Sequence, residues 1–227
     1  MTAERLPMFP LGLVLMPGQL LPLHIFEYRY REMVRECIEG SKEFGVVLIA
    51  RGAEVGGGDA RHDVATRATM VQAVAFEDGR YGIMVIGSER VRISEWLPDN
   101  PYPQAMVEPW PDRVDDVDGS RWWDADGGST PELTQLIGRV RRAVALALEL
   151  GDRVGDPSQT LPSQPRVLSY MLADLLPVGP VDRLALLTAD GPVARLDLMV
   201  TLLDSLEPVL EFRLGDEPSS SDPPDAW

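Results

Sequence analysis

Catalysis by a nucleophile, a phosphate loop or a metal needs particular residue types at particular spacings, and this chain is short of each. Its single lysine, Lys42, sits in Gly40-Ser41-Lys42-Glu43. A phosphate-binding Walker loop ends in lysine and Ser/Thr after a glycine-rich turn, because the ammonium must reach the β- and γ-phosphates. The leading glycine spacing is missing here. A Ser–Lys dyad would have to use Ser41, an immediate neighbour whose side chain is badly placed to converge on Lys42. Neither Gly-x-Ser-x-Gly nor Gly-x-Gly-x-x-Gly occurs. Gly56-Gly57-Gly58 could present backbone amides to an anion, but no helix start follows it, so it reads as a flexible loop between strands.

Metal chemistry fares no better. Two histidines, His24 and His62, and one cysteine, Cys37, fall short of a zinc set. Asp116-Val117-Asp118-Gly119 and Asp124-Ala125-Asp126-Gly127 resemble the middle of a calcium loop. Both lack the first ligand, with Val114 and Trp122 in its place, and both lack the closing glutamate. Cys37 with His24 could be imagined as nucleophile and base, yet Cys37 shares a helical stripe with Met33, Val34 and Ile38, where a free thiol packs as a small hydrophobe. His24, between Leu23 and Ile25, reads as a hydrogen-bonded positioning residue. No catalytic residue, cofactor site or metal site is expected.

The elements that surround these residues are legible from periodicity. Phe9 to Met16 and Leu20 to Ile25 are short apolar runs broken by Pro10, Pro17-Gly18 and Pro22, which places strand edges or kinks there. Tyr30, Met33, Val34, Cys37 and Ile38 recur on one helical face, and Gly40 stands where a left-handed C-cap would stop that helix. Phe44 to Ala50 reads as a buried strand. Two longer strands, about Val64 to Phe76 and Tyr81 to Ile93, flank Asp78-Gly79, a dipeptide that favours a type I′ hairpin turn. Gln104 to Glu108 looks like one more. Strands in this number, with tight turns, predict a sheet curled on itself with the early helix against an open end.

Between Pro109 and Gly128 the composition shifts to six aspartates, two arginines and the pair Trp122-Trp123. That stretch reads as an exposed acidic loop or linker. Beyond it strand signals stop and helices take over. Ser129-Thr130-Pro131-Glu132 carries a capping-box spacing and an early proline, and Leu133, Leu136, Ile137, Val140, Val144, Ala147 and Leu148 form one stripe that Gly151 ends. A second helix uses Leu168, Met171, Leu172 and Leu175 and stops at Pro177. A third begins at Pro180. A fourth begins about Pro192, with Leu196, Met199, Val200 and Leu203 inward and Pro208 expected to end or kink it. The segment 215–227, with four acids, three serines and three prolines, is expected to be disordered.

Bulk properties narrow the partners. The 227 residues can bury a substantial core. The formal charge is -15, from 21 basic and 36 acidic residues. That field repels phosphate backbones, so nucleic acid and anionic membrane are disfavoured as partners. No run approaches the roughly 20 apolar residues of a membrane span. The N-terminus has no signal-peptide layout, and one cysteine builds no disulfide framework. A cytoplasmic location is expected.

One long pattern goes beyond composition. Leu6-Pro7-Met8-Phe9-Pro10-Leu11, then Val14-Leu15-Met16-Pro17-Gly18, then Leu21-Pro22-Leu23-His24-Ile25-Phe26-Glu27-Tyr28-Arg29-Tyr30-Arg31 strongly resembles the opening of Lon protease substrate-binding domains. The resemblance continues through Phe44-Gly45-Val46-Val47-Leu48-Ile49, Gly52-Ala53-Glu54-Val55-Gly56-Gly57, Thr66-Arg67-Ala68, Asp78-Gly79-Arg80 and Gly87-Ser88-Glu89-Arg90-Val91-Arg92-Ile93. It takes in Tyr102-Pro103-Gln104-Ala105, Leu172-Ala173-Asp174-Leu175-Leu176-Pro177 and Arg195-Leu196, and so covers roughly residues 5 to 207. Ala65 stands where relatives often have glycine, Tyr28 replaces a frequent proline, and the acidic loop at 112–128 looks inserted.

The resemblance implies an α+β fold: a PUA-like β pseudo-barrel with one early helix, then a C-terminal helical bundle. The corresponding divisions are 1–111, the acidic Trp-containing loop 112–128, the helical part 129–214 and the tail 215–227. It implies a recognition module for unfolded or specific polypeptide clients, or for a protease partner, without ATPase or Ser–Lys protease parts. RNA binding through the barrel, or an unrecognised hydrolase, is the alternative. The expected partner-binding residues are Glu27, Tyr28 and Arg29, at the turn leading into the first helix, with Trp122 and Trp123 as a second surface. Tyrosine, tryptophan and arginine dominate interface hot spots.

Overall fold

A computed structural model describes residues 3–51, 60–113 and 119–215. The glycine-rich stretch 52–59, most of the first calcium-like motif and the tail beyond Gly215 lie outside the described residues.

Among the described residues, six strands and five helices follow one another in a β-then-α order, as the periodicity predicts. The strands are β1 (Glu4–Leu11), β2 (Leu20–Ile25), β3 (Glu43–Arg51), β4 (Ala60–Ala75), β5 (Tyr81–Leu97) and β6 (Gln104–Pro109). Helix α1 (Tyr28–Glu39) falls between β2 and β3, and α2 (Pro131–Glu149), α3 (Pro165–Leu175), α4 (Pro180–Thr188) and α5 (Pro192–Gly215) make up the second half.

Strand pairing closes on itself. The order is β2-β5-β4-β3-β1-β6, and β6 pairs with both β1 and β5. The length of β5 allows this. Its first half, from Tyr81 to Ile86, carries β2, while Val91 to Leu97 carries β6. The ring β5-β4-β3-β1-β6 encloses Leu6, Met8, Val47, Ala65, Val91, Ile93, Ala105 and Val107 as one apolar cluster. β1 and β3 run parallel, which their crossover through α1 permits.

A second cluster forms where α1 lays Tyr30, Met33, Val34 and Cys37 against Phe9, Phe44, Ile83 and Val85. The third and largest belongs to the helices, and it reaches back to Val14, Met16 and Leu48 of the β part. The two halves therefore share a core.

Several turns and caps differ from what the sequence predicts. Gly40 is not left-handed (φ -111°); the positive φ falls on Lys42 (62°), whose N–H donates to Cys37 O at 2.9 Å. Asp78-Gly79 does not form a type I′ turn, since only Gly79 has positive φ (79°). Gly79 N–H donates to Phe76 O and Phe76 N–H to Arg80 O, while Asp78 Oδ1 accepts from Arg80 N–H. Thr130, rather than Ser129, caps α2, its Oγ1 accepting from Leu133 N–H at 3.2 Å. Pro208 does not end α5. Beyond it Leu210 is buried, and Glu211 and Arg213 pair with Arg142 and Asp152, so tertiary contacts offset the one missing donor.

Candidate functional site

The turn between β2 and α1 follows directly from its sequence. Strand β2 alternates, with Leu21, Leu23 and Ile25 turned toward the α1 core and Leu20, Pro22 and His24 turned outward. Cross-strand partners share a face in an antiparallel sheet. Leu20 lies opposite Ile86, Pro22 opposite Met84 and His24 opposite Gly82. On the far side of β5, Met84 faces Gln72 and Gly82 faces Val74. Phe76 folds back over Gly82, where a Cβ would stand 3.5 Å from its ring. The outer face of this three-stranded end mixes His24 and Gln72 with apolar side chains, of which Leu20, Val74 and Phe76 are 58%, 46% and 44% exposed.

The turn itself adds two exposed rings. Phe26 is 53% exposed and Tyr28, the first residue of α1, is 68% exposed. Glu27 is the N-cap by backbone geometry, but its side chain makes no capping bond; Glu27 Oε2 accepts from Arg29 Nε at 3.1 Å instead. The Arg29 guanidinium also lies 4.4 Å from the Tyr30 ring centroid. Glu27, Tyr28 and Arg29 are thus together, as the chain order requires, but only Tyr28 projects fully. Beside them opens a pocket of about 150 Å³, lined among others by Phe9, Leu11, Leu23, Ile25, Phe26 and Tyr30.

The tryptophan pair is placed differently from an exposed loop. Trp122 is buried, 1% exposed, in the helical core, with Arg121 stacked 4.4 Å over its ring. Trp123 is half-buried against the same cluster, and its backbone bridges Ser129. Asp112 is buried too. Asp112 and Trp122 are therefore anchored in the packed interior, while Arg113, Ser120, Arg121 and 124–128 stay exposed as the sequence suggests. The apolar area of an indole outweighs the polarity of its neighbours in sequence.

A constellation invisible in the sequence surrounds Asp112. Arg195 of α5 donates to both its oxygens, Nη2 to Oδ1 at 2.9 Å and Nη1 to Oδ2 at 3.3 Å. Tyr170 of α3 donates its hydroxyl to Oδ1 at 2.8 Å, and Arg90 of β5 pairs with the same oxygen at 3.2 Å. Two buried guanidiniums face one carboxylate, with the more exposed Arg166 of α3 a third at 3.9 Å from Oδ2, and the surplus is met by carbonyls. Arg90 donates to Leu187, Ala189 and Trp110, and Arg195 to Leu186. Leu186 and Leu187 belong to the last turn of α4, where carbonyls lack helical partners and the dipole favours cations. Burial pulls the Arg90 guanidinium below its ordinary range, with Tyr170 and Asp112 pushing the other way, and burial raises the Tyr170 phenol to about 12. This cluster joins the β part to three helices.

The residues considered for catalysis have ordinary settings. Cys37 donates to Glu43 O at 3.4 Å, and burial pushes its thiol up to about 12, the opposite of nucleophile activation. His24 is exposed, with its Nε2 3.5 Å from Arg80 Nη1. Among the described residues no three His, Cys, Asp or Glu side chains come together as a metal set.

The family profile described as "ATP-dependent protease La (LON) substrate-binding domain" matches residues 5–205. The chain belongs to the Lon substrate-binding domain family. Among solved structures, it is similar to a Lon N-terminal domain protein from Xanthomonas campestris, with 28% identity and a TM-score of 0.62. That match covers 87% of this chain and 98% of the other. Among curated proteins, a LON peptidase N-terminal domain and RING finger protein of Schizosaccharomyces pombe is 25% identical over 92% of this chain and 47% of its own length. A Lon protease of Cytophaga hutchinsonii is 24% identical over 92% of this chain and 25% of its own. This Lon-type domain thus spans under half the length of those curated relatives. No described helix is long and apolar enough to cross a membrane.

Proposed function

We propose that this Lon-type domain is a non-catalytic recognition module for other polypeptides, acting in the cytoplasm as an adaptor for unfolded or specific clients. The observation that carries the reading is a set of exposed large apolar side chains around β2: Phe26 and Tyr28 at the turn, Val74 and Phe76 at the end of the strand across β5 from that turn, and Leu20 at the other end of β2. Large apolar side chains grouped on a surface, next to a pocket that admits one more, are what a client segment needs. Tyr28, with Glu27 and Arg29 bracing the turn beneath it, is the proposed centre of the contact. Trp123 is the proposed secondary contact, with Trp122 supporting it from the core. The surplus of negative charge disfavours RNA as the client.

Fluorescence anisotropy of labelled, permanently unfolded casein tests this. The chain should bind at micromolar concentration, and the double variant Leu20→Ser, Tyr28→Ser should weaken binding at least tenfold with unchanged circular dichroism. Equal binding by the folded double variant overturns the assignment of the surface.

A further inference from the structure

β2 differs from the other strands in its pairing. Among the described residues, each of β1, β3, β4, β5 and β6 has strand neighbours on both sides, whereas β2 pairs with β5 alone. Among the described residues, no backbone group of residues 20–25 is hydrogen-bonded outside the β5 ladder. The Gly87 N–H to Gln19 O bond, 2.9 Å long, sets the phase of that ladder. Residues 21, 23 and 25 then address β5, and Leu20, Pro22 and His24 turn their backbone groups to the free side. Pro22 has no N–H to give, and at an outward position its lack costs the sheet nothing. The edge offers the N–H of Leu20 and His24 and the carbonyls of Leu20, Pro22 and His24.

Free strand edges are ordinarily blunted by charged side chains, bulges or a covering element. The sequence of β2, Leu-Leu-Pro-Leu-His-Ile, carries no formal charge with histidine neutral, and its pairing with β5 runs without a register shift. Leu20 and Phe26 stand exposed at its two ends, and the 150 Å³ pocket opens against Leu23 and Ile25. The whole chain carries a formal charge of -15. That field draws in cationic segments and turns acidic ones away.

We infer that β2 captures its client by backbone addition: an extended, apolar segment with basic flanks lies along the Leu20–His24 edge as a seventh strand and sets one side chain in the pocket beside Phe26. This deepens the recognition reading above and rests on it. Main-chain pairing explains how one surface can accept many sequences, because every non-proline residue brings the same donor and acceptor. Charge then sets which of them arrive.

The test uses the full chain and a ten-residue peptide of alternating valine and serine flanked by two arginines at each end. Two versions carry N-methyl groups on alternate backbone amides, one in each phase, and a fourth peptide has aspartate flanks. Binding is followed by isothermal titration at low and high salt. The expected result is that one methylation phase weakens binding at least tenfold and the other less than threefold. The aspartate-flanked peptide binds at least fivefold more weakly at low salt, and 0.5 M salt narrows that gap. His24→Pro, which removes one outward N–H, should weaken the parent peptide at least threefold without altering circular dichroism. Binding indifferent to both methylation phases and to His24→Pro overturns edge addition and leaves the recognition reading standing. Equal affinity for arginine and aspartate flanks overturns the charge selection. No binding by any of these peptides or by casein overturns both readings. A dimer in sedimentation that excludes the peptide shows the edge to be occupied by a second copy, and overturns client capture there.

Discussion

Arg195 in α5 grips Asp112, 83 positions earlier in the chain, through both carboxylate oxygens, and both side chains are almost wholly buried. Asp112 stands directly after β6 and Arg90 reaches the same oxygen from β5, so this pair holds the β ring to the helical half. The arrangement is stable only as a set, since each charge is tolerated because the others are present.

Asp112→Ala leaves Arg90 and Arg195 facing each other without a counter-ion. Removing one partner of a buried ion pair costs about 3–5 kcal/mol. The midpoint of urea unfolding should fall accordingly. Asp112→Asn, which keeps one acceptor for Tyr170 and Arg195, should cost less. A loss below about 1 kcal/mol for the alanine variant contradicts the role given to the pair.

Trp122→Ala should also destabilise, because the indole fills the helical core at 1% exposure. Large-to-small changes at such sites cost about 3–5 kcal/mol. Trp123→Ala, at a half-buried position, should cost less than half as much. Thermal unfolding of the two variants side by side gives the comparison, and an equal loss would contradict the burial difference.

Tyr28→Ser should behave in the opposite way. Its side chain is 68% exposed, so stability should change by less than about 0.5 kcal/mol, as for surface changes generally. Casein binding should weaken severalfold. Measuring unfolding and binding on the same preparation separates a surface role from a folding role.

Cys37 provides a pH-dependent readout. Burial raises its thiol from 9.0 to about 12. Below pH 9 the folded and unfolded states both hold the proton and stability is unaffected by this group. Between pH 9 and 12 the unfolded chain releases the proton while the folded chain keeps it, so Cys37 lowers stability progressively with rising pH. Iodoacetamide at pH 8 should therefore modify Cys37 only slowly in the native protein and rapidly in urea. Rapid native alkylation would show the site to be open.

Much of the fold could be read along the chain because its elements are locally determined. The stripe Tyr30, Met33, Val34, Cys37 marks α1 by its period alone, and Thr130-Pro131 marks the start of α2. The place of Tyr28 at the turn into α1 was legible in the same way, but its exposure is set by the packing around it. The burial of Trp122 was not legible. Aspartates and glycines around it suggest solvent, and only the helical core supplies the apolar surface that claims the ring. Arg90 and Arg195 stood out only within the family resemblance, and that they meet Asp112 and Tyr170 carried no signal, because nothing in local sequence ties residues that lie 22 to 105 positions apart.

The sequence by itself determined the family, the β-then-α order and the want of familiar catalytic motifs, since each depends on residue types at short spacing. Tertiary structure alone decided three things: that β5 is shared between β2 and β6, that β2 is left with an open edge, and that one buried carboxylate gathers arginines from β5, α3 and α5 at the junction. Those depend on which distant surfaces meet, and burial and pairing energies settle that only when the whole chain is packed.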